Sequence, residues 1–483
     1  MFFSSLSPWF LALYVITVLG LIGVVLSENR NPLKASAWVL VIGFVPFLGL
    51  IIYLLFGQDQ RRNHIINKRV YRRLMIKPQI ASTVEIPKLN KVESVSSYWQ
   101  KLIDLIKYNS EFPVLLADNI RIYSWGTEMF TDLFKDIENA HSHIHIESYI
   151  FEDDELTKRL SDVLIRKVQE GVRVRIIFDH VGSWHVPNNY WRYLKKNGIQ
   201  VYPFMPVAFP FFTSSVNYRN HRKIIVIDGI IGYVGGMNIA QRYISGNKMG
   251  VWRDSHFRIS GPAIAAMQTT FLIDWYVVSR KVVSVDKSYP EKWQLPIEET
   301  NTIKMQFIPG GPVAEWRSIA QVITNAIARA KKRIYIETPY FLPTESLNNA
   351  IITAALAGVD VQLIIPKNSD TPVAQVASNS YFARLLTAGV KINLYEAGFL
   401  HSKLLMVDGE ISSIGSANMD FRSLEHNFEF NAIVYDKEFT RRMEEVFLQD
   451  LSHCHTLSQE EWLGRCWIHR AKESLGRIFS PLL

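Results

Sequence analysis

Two stretches without a charged side chain open the sequence, 1–27 and 35–58. At about 1.5 Å of rise per helical residue, each is long enough to cross a hydrocarbon core of roughly 30 Å. Glu28, Arg30, Pro32 and Lys34 between them leave room only for a hairpin. The pattern predicts two transmembrane helices. A cleaved signal peptide is the alternative for the first, but no basic residue precedes the apolar run and a second run follows at once. Gly43, Pro46 and Gly49 would suit a re-entrant second segment, although membrane helices tolerate such residues.

Further along, short apolar runs alternate with helical periodicity, and the alternation occurs twice. The run from His143 to Ser148 ends on Glu147 as that from Arg333 to Thr338 ends on Glu337. Runs after Gly171 and Gly198 match runs after Gly358 and Gly389, and helical patterns at 156–169 and 346–356 occupy equivalent places. Helices that end in Glu-Gly or Ala-Gly before a buried strand read as α/β units, and their recurrence reads as an internal duplication. The expected architecture is α/β: a membrane hairpin at 1–58, a basic linker at 59–97, and two layered α/β/α domains at 98–295 and 296–483, the second with a helical tail.

The duplication also repeats chemistry. His221-x-Lys223-x4-Asp228 and His401-x-Lys403-x4-Asp408 stand 180 residues apart, and six residues separate each aspartate from Gly235-Gly236-Met237-Asn238 or Gly415-Ser416-Ala417-Asn418. A histidine can serve as nucleophile or proton donor near neutral pH, and a lysine two residues on shares its strand face and can hold an anion. Each motif runs through four apolar residues into Asp-Gly and then another apolar run, which predicts a β-hairpin. That leaves two readings for Asp228 and Asp408, as catalytic groups or as turn formers.

With those motifs the chain resembles the phospholipase D superfamily over residues 113–438, and with the N-terminal spans it resembles that superfamily's bacterial cardiolipin synthases. The resemblance implies two α/β/α sandwich domains that meet across a pseudo-two-fold axis and join both motifs in one site. It implies that His221 attacks phosphorus to give a phosphatidyl-histidine, while His401 acts as general acid and base. By position, Lys223, Lys403, Asn238 and Asn418 would hold the phosphoryl oxygens, with Ser416 a further donor. Asp254 and Glu429 stand where family carboxylates orient the histidines. No metal or cofactor is implied. The expected reaction transfers phosphatidyl between two phosphatidylglycerol molecules, giving cardiolipin and glycerol. The alternative is a membrane-anchored phospholipase D or nuclease that hydrolyses its diester.

Charge narrows the setting. Arg61, Arg62, Lys68, Arg69, Arg72 and Arg73 follow the second span, against Arg30 and Lys34 between the spans, so the catalytic body is expected on the cytoplasmic side of a bacterial cell membrane. The net charge of +8 would suit nucleic acid as well as anionic lipid, but two membrane spans favour the bilayer as partner and argue against nucleic acid. Cys454 and Cys466 form no disulfide framework, and with His453, His455 and His469 they match no zinc-ligand spacing. The first half carries an extra apolar, proline-broken run at 204–212, read as a lip against acyl chains or a loop over the core. The tail at 460–479 suits an interfacial helix or packing on the catalytic body.

Overall fold

The structure, a computed structural model, describes residues 8–27, 32–44, 97–110, 112–207, 218–281 and 302–478, with positions 49, 53 and 283. It divides into two compact units, one of Met1–His64 with Val207–Tyr218 and one of Ile65–Pro206 with Arg219–Leu483.

In the first unit, helices Pro8–Ser27 and Pro32–Phe44 contribute Val25 and Ile42 to a small apolar cluster with Tyr53. The second helix is shorter than the span expected at 35–58, most of whose remainder lies outside the described residues. Taken over the described residues, no helix is long and apolar enough to cross a membrane. All of the linker expected at 59–97 but its last residue, and positions 208–212 of the apolar run, also lie outside them. Phe204 does not: it is buried at the end of a strand, its ring edge-on to Phe428.

The second unit contains both repeats. The first supplies strands β1 (Leu115–Ala117), β2 (Asn119–Tyr123), β3 (His143–Ser148), β4 (Arg173–Asp179), β5 (Gln200–Phe204), β6 (Ile224–Ile227), β7 (Ile231–Gly235), β8 (Trp252–Arg253) and β9 (His256–Ser260). The second supplies β10 (Ile303–Gly310), β11 (Arg333–Glu337), β12 (Phe341–Leu342), β13 (Asp360–Pro366) and β14 (Lys391–Tyr395). It continues with β15 (Phe399–Leu400), β16 (Leu404–Val407), β17 (Ile411–Gly415), β18 (Met419–Asp420), β19 (Glu429–Val434) and β20 (Cys454–Thr456).

One sheet runs β2-β9-β7-β6-β3-β4-β5, and the other repeats that order as β10-β19-β17-β16-β11-β13-β14, with β1 and β20 added at its edges. In both, three parallel strands joined by helices continue into antiparallel hairpins. Along the parallel strands apolar and polar residues alternate, so Ile144, Ile146, Val174 and Ile176 of the first sheet, and Ile334, Ile336, Val361 and Leu363 of the second, share one face under the helices. Helices Gly126–Glu138 and Glu155–Gln169 bury one apolar face against the first sheet, and Ser318–Ala328 and Glu345–Leu356 do the same on the second. A third cluster fills the centre, joining Ile224, Val226 and Val234 of one sheet to Leu404, Met406, Ile414 and Phe430 of the other.

The boundary between repeats differs from the sequence expectation at one place. Residues 97–117 belong with the second sheet: β1 pairs antiparallel with β10, and Trp99, Leu102 and Ile106 sit in the second repeat's core. The apolar face of helix Gln100–Ser110 finds its cover there.

The tail packs on the body. β20 closes the sheet edge at β14, and helix Trp467–Ile478 lies along helix Pro372–Thr387, with Arg477 4.9 Å over the Tyr381 ring. Trp467 and Leu475 stay exposed on its other face.

Candidate active site

Each histidine sits just before a motif strand, where its backbone is held by the other repeat. The His221 N–H donates to the Phe428 carbonyl at 2.8 Å, and the His401 N–H to the Arg253 carbonyl at 2.7 Å. Parallel pairing of β15 with β8 extends the second of these stitches. The two repeats therefore interlock where the chemistry-bearing residues lie.

The side chains cross over too. His221 Nδ1 lies 3.0 Å from Glu429, and His401 Nδ1 lies 2.7 Å from Asp254, so each repeat's carboxylate orients the other repeat's histidine. With Nδ1–H donated to a carboxylate, Nε2 is the nitrogen left with a lone pair. Burial lowers His221 to about 4, with Lys223 adding to the effect against the pull of Glu429, so the ring is neutral at pH 7. Burial, then Lys403 and Lys223, hold His401 well below its ordinary value. Burial pushes Glu429 up, but His221, Lys223 and Ser416 outweigh it and leave the carboxyl below its usual range.

Both lysines are buried beside the histidines. Lys223 Nζ donates to the His221 carbonyl at 2.8 Å, and Lys403 Nζ donates to the His401 carbonyl. Burial lowers both, Lys223 to about 7 with Lys403 adding to the effect, and Lys403 to about 8. An arriving anion would favour the charged form of each.

The two histidines line one cleft of about 330 Å³. Asn238 and Asn418 line it as well, so the structure brings six of the residues singled out in the sequence into one place. Asn238 is fixed by the Ile150 N–H at 3.1 Å and donates to Tyr243 at 2.9 Å; Asn418 donates to Asp420 at 2.9 Å.

Ser416 has a different place. Its hydroxyl donates to Glu429 and accepts from the Phe430 N–H at 2.9 Å, so it steadies the orienting carboxylate instead of reaching into the cleft. At the matching Gly236 a Cβ would overlap the Asp254 carboxylate, so only the second repeat has room for this serine.

Asp228 and Asp408 leave the catalytic set. Each stands at the far end of its motif strand from its histidine. Asp228 accepts from the N–H groups of His141, Ser142 and His143 at 2.7–2.8 Å, and Asp408 from those of Lys331, Lys332 and Arg333 at 2.7–3.0 Å. Both have positive φ, 53° and 58°, followed by glycines at 66° and 70°, the backbone of a type I′ hairpin turn.

Behind each histidine lies a buried carboxyl pair with an arginine. Arg253 bonds Asp450 at 2.7 Å and approaches Glu337, while Arg222 bonds Asp274 beside Glu147. Burial and the neighbouring carboxylate hold Glu337 up at about 8. The arginine arrives differently in the two repeats. Arg222 stands where the second motif has Ser402, and Arg253 stands where the other strand has Phe428.

Sequence comparison gives the same assignment for the whole chain. A profile described as "Cardiolipin synthase, PLD-like domain" matches residues 133–275 and 323–451, and one described as "Phospholipase_D-nuclease N-terminal" matches 9–58. Over 464 residues the chain is 40% identical to a cardiolipin synthase of Geobacillus kaustophilus, spanning 95% of this chain and 91% of that one. The chain belongs to the phospholipase D-like cardiolipin synthase family. A second cardiolipin synthase, from Listeria monocytogenes, is 39% identical over 463 residues, 95% of each chain. The crystal structure of phosphatidylserine synthase from Haemophilus influenzae has the same fold, with a TM-score of 0.62 at 16% identity, covering 81% of this chain and 100% of that one.

Among the cleft residues that escaped the sequence reading is a matched pair of arginines. Arg242 and Arg422 each follow the repeated asparagine by four positions, and both line the cleft. The repeat that exposed Asn238 and Asn418 carried this signal one helical turn further on.

Proposed function

We propose that the chain is a cardiolipin synthase acting on phosphatidylglycerol through a phosphatidyl-histidine. The observation that carries the reading is the crossed pair, His221 with Glu429 and His401 with Asp254, in a cleft lined by both rings. The neutral His221 Nε2 forms a bond to phosphorus as the bond from phosphorus to the glycerol oxygen breaks. His401 gives its proton to that oxygen. A second phosphatidylglycerol then enters, its terminal hydroxyl returns a proton to His401, and its oxygen displaces His221.

Burial, with Lys403 and Lys223 adding to it, holds His401 neutral, so a phosphodiester does more than bind. Its negative charge offsets Lys223 and Lys403 and makes the protonated imidazole favourable. The same lysines, with Asn238 and Asn418, face the charge that builds on the nonbridging oxygens. One phosphodiester replaces another, so no nucleotide is required.

The N-terminal segment, by this proposal, holds the cleft against the cytoplasmic leaflet of a bacterial cell membrane. Support comes from the uncharged runs at 1–27 and 35–58 and the basic cluster that follows them. Exclusion of water at such a surface favours transfer over hydrolysis.

Purified protein given phosphatidylglycerol in mixed micelles without nucleotide is expected to produce cardiolipin and glycerol in equal amounts. Phosphatidic acid without cardiolipin would sink the synthase reading in favour of hydrolysis.

A further inference from the structure

Joining two phosphatidylglycerols brings two phosphodiesters into the cleft, and the residues around the histidines account for only one. Lys223, Lys403, Asn238 and Asn418 surround the phosphorus that reacts. The second phosphodiester belongs to the acceptor and lies three carbons beyond the hydroxyl that His401 deprotonates. It must therefore sit outward of His401, on that side of the cleft.

Arg242 is the cation on that side. Its guanidinium lies 4.7 Å over the Trp252 ring, whose centre is 5.4 Å from that of His401, and the neighbouring Tyr243 ring is 6.1 Å from His401. Glu152 holds one end of the guanidinium through Nη1 at 2.6 Å, which fixes its position without using all its donors. The side chain keeps 21% of its surface exposed, and the residue lines the cleft. A stacked, pre-positioned guanidinium with spare N–H groups suits bidentate binding of a phosphodiester.

Its counterpart in the other repeat is placed differently. Arg422 acts on Tyr149 and Arg219, and the Tyr149 ring is 4.8 Å from His221, so Arg422 belongs to the nucleophile's side. Leu342 stands where the first repeat has Glu152, and no carboxylate pairs with Arg422 among the described residues.

We propose that Arg242 binds the phosphodiester of the acceptor lipid, and so selects phosphatidylglycerol over acceptors that offer a hydroxyl without a phosphate. This rests on the synthase reading above. The test compares two acceptors in full-length protein in the same micelles: phosphatidylglycerol, read as cardiolipin, and labelled free glycerol, read as label exchanged into phosphatidylglycerol.

In Arg242→Gln the ratio of cardiolipin formation to glycerol exchange is expected to fall about tenfold or more, with part of it regained in Arg242→Lys. The ratio is insensitive to any loss of folded protein, since both rates fall together. Arg422→Gln should leave the ratio near the wild-type value. An unchanged ratio in Arg242→Gln, or an equal fall in Arg422→Gln, overturns the proposal. The wild-type protein separates the two levels, because exchange without cardiolipin there refutes the synthase reading before any variant is compared.

Discussion

At the residue scale, the crossed carboxylates make a claim that a parallel arrangement would not. In the proposed mechanism Glu429 serves the nucleophile although it lies in the same repeat as the general acid, and Asp254 serves the general acid from the nucleophile's repeat. Glu429→Gln is therefore expected to slow formation of the phosphatidyl-enzyme, and Asp254→Asn to slow its resolution by the second lipid, each by roughly 10²- to 10⁴-fold. Rapid quenching with labelled phosphatidylglycerol distinguishes the two: the adduct should be scarce in the first variant and persistent in the second. The reverse pattern would exchange the roles of His221 and His401. The sequence showed both carboxylates but not which ring each meets, because that depends on how two repeats fold over one another. It left Ser416 as a donor to substrate for the same reason, since the carboxylate that takes its hydroxyl is thirteen residues away on a neighbouring strand.

At the element scale, the motif hairpins were legible because Asp-Gly between two apolar runs carries its own geometry. Asp228 and Asp408 accept positive φ and gather three backbone N–H groups each, tying the hairpin to the start of β3 or β11. The local signal could not decide between turn and catalysis, but the strand does, by putting the aspartate and the histidine at opposite ends. Asp228→Ala is expected to destabilise the fold by about 2 kcal/mol, from the unsatisfied amides and the strained backbone. Thermal unfolding should shift down by several degrees while the fraction still folded keeps its turnover. Loss of turnover at unchanged stability would return the aspartate to the catalytic set. The exchanged arginines were less legible. Arg222 and Arg253 look unrelated in sequence, yet both deliver a guanidinium to an equivalent carboxyl pair.

At the scale of the whole molecule, the duplicated α/β architecture could be read from periodicity, while the strand that departs from it could not. β1 carries too few residues to declare which sheet it joins, and its partner β10 lies almost two hundred residues later. A chain ending near residue 290 keeps His221, Lys223 and Asn238 but lacks Glu429 and the sheet that receives β1. It is expected to form no phosphatidyl adduct, and co-expression with the remaining segment should restore one; an adduct from the short chain alone would show that the first repeat orients its own nucleophile. The crossing also constrains ancestry. A forebear with a single repeat could have worked only as two identical chains, each lending its carboxylate to its twin. Fusion then released the copies from sameness without releasing them from each other, so that one could keep its arginine beside the motif histidine and the other beside the carboxylate, and neither could be inherited alone.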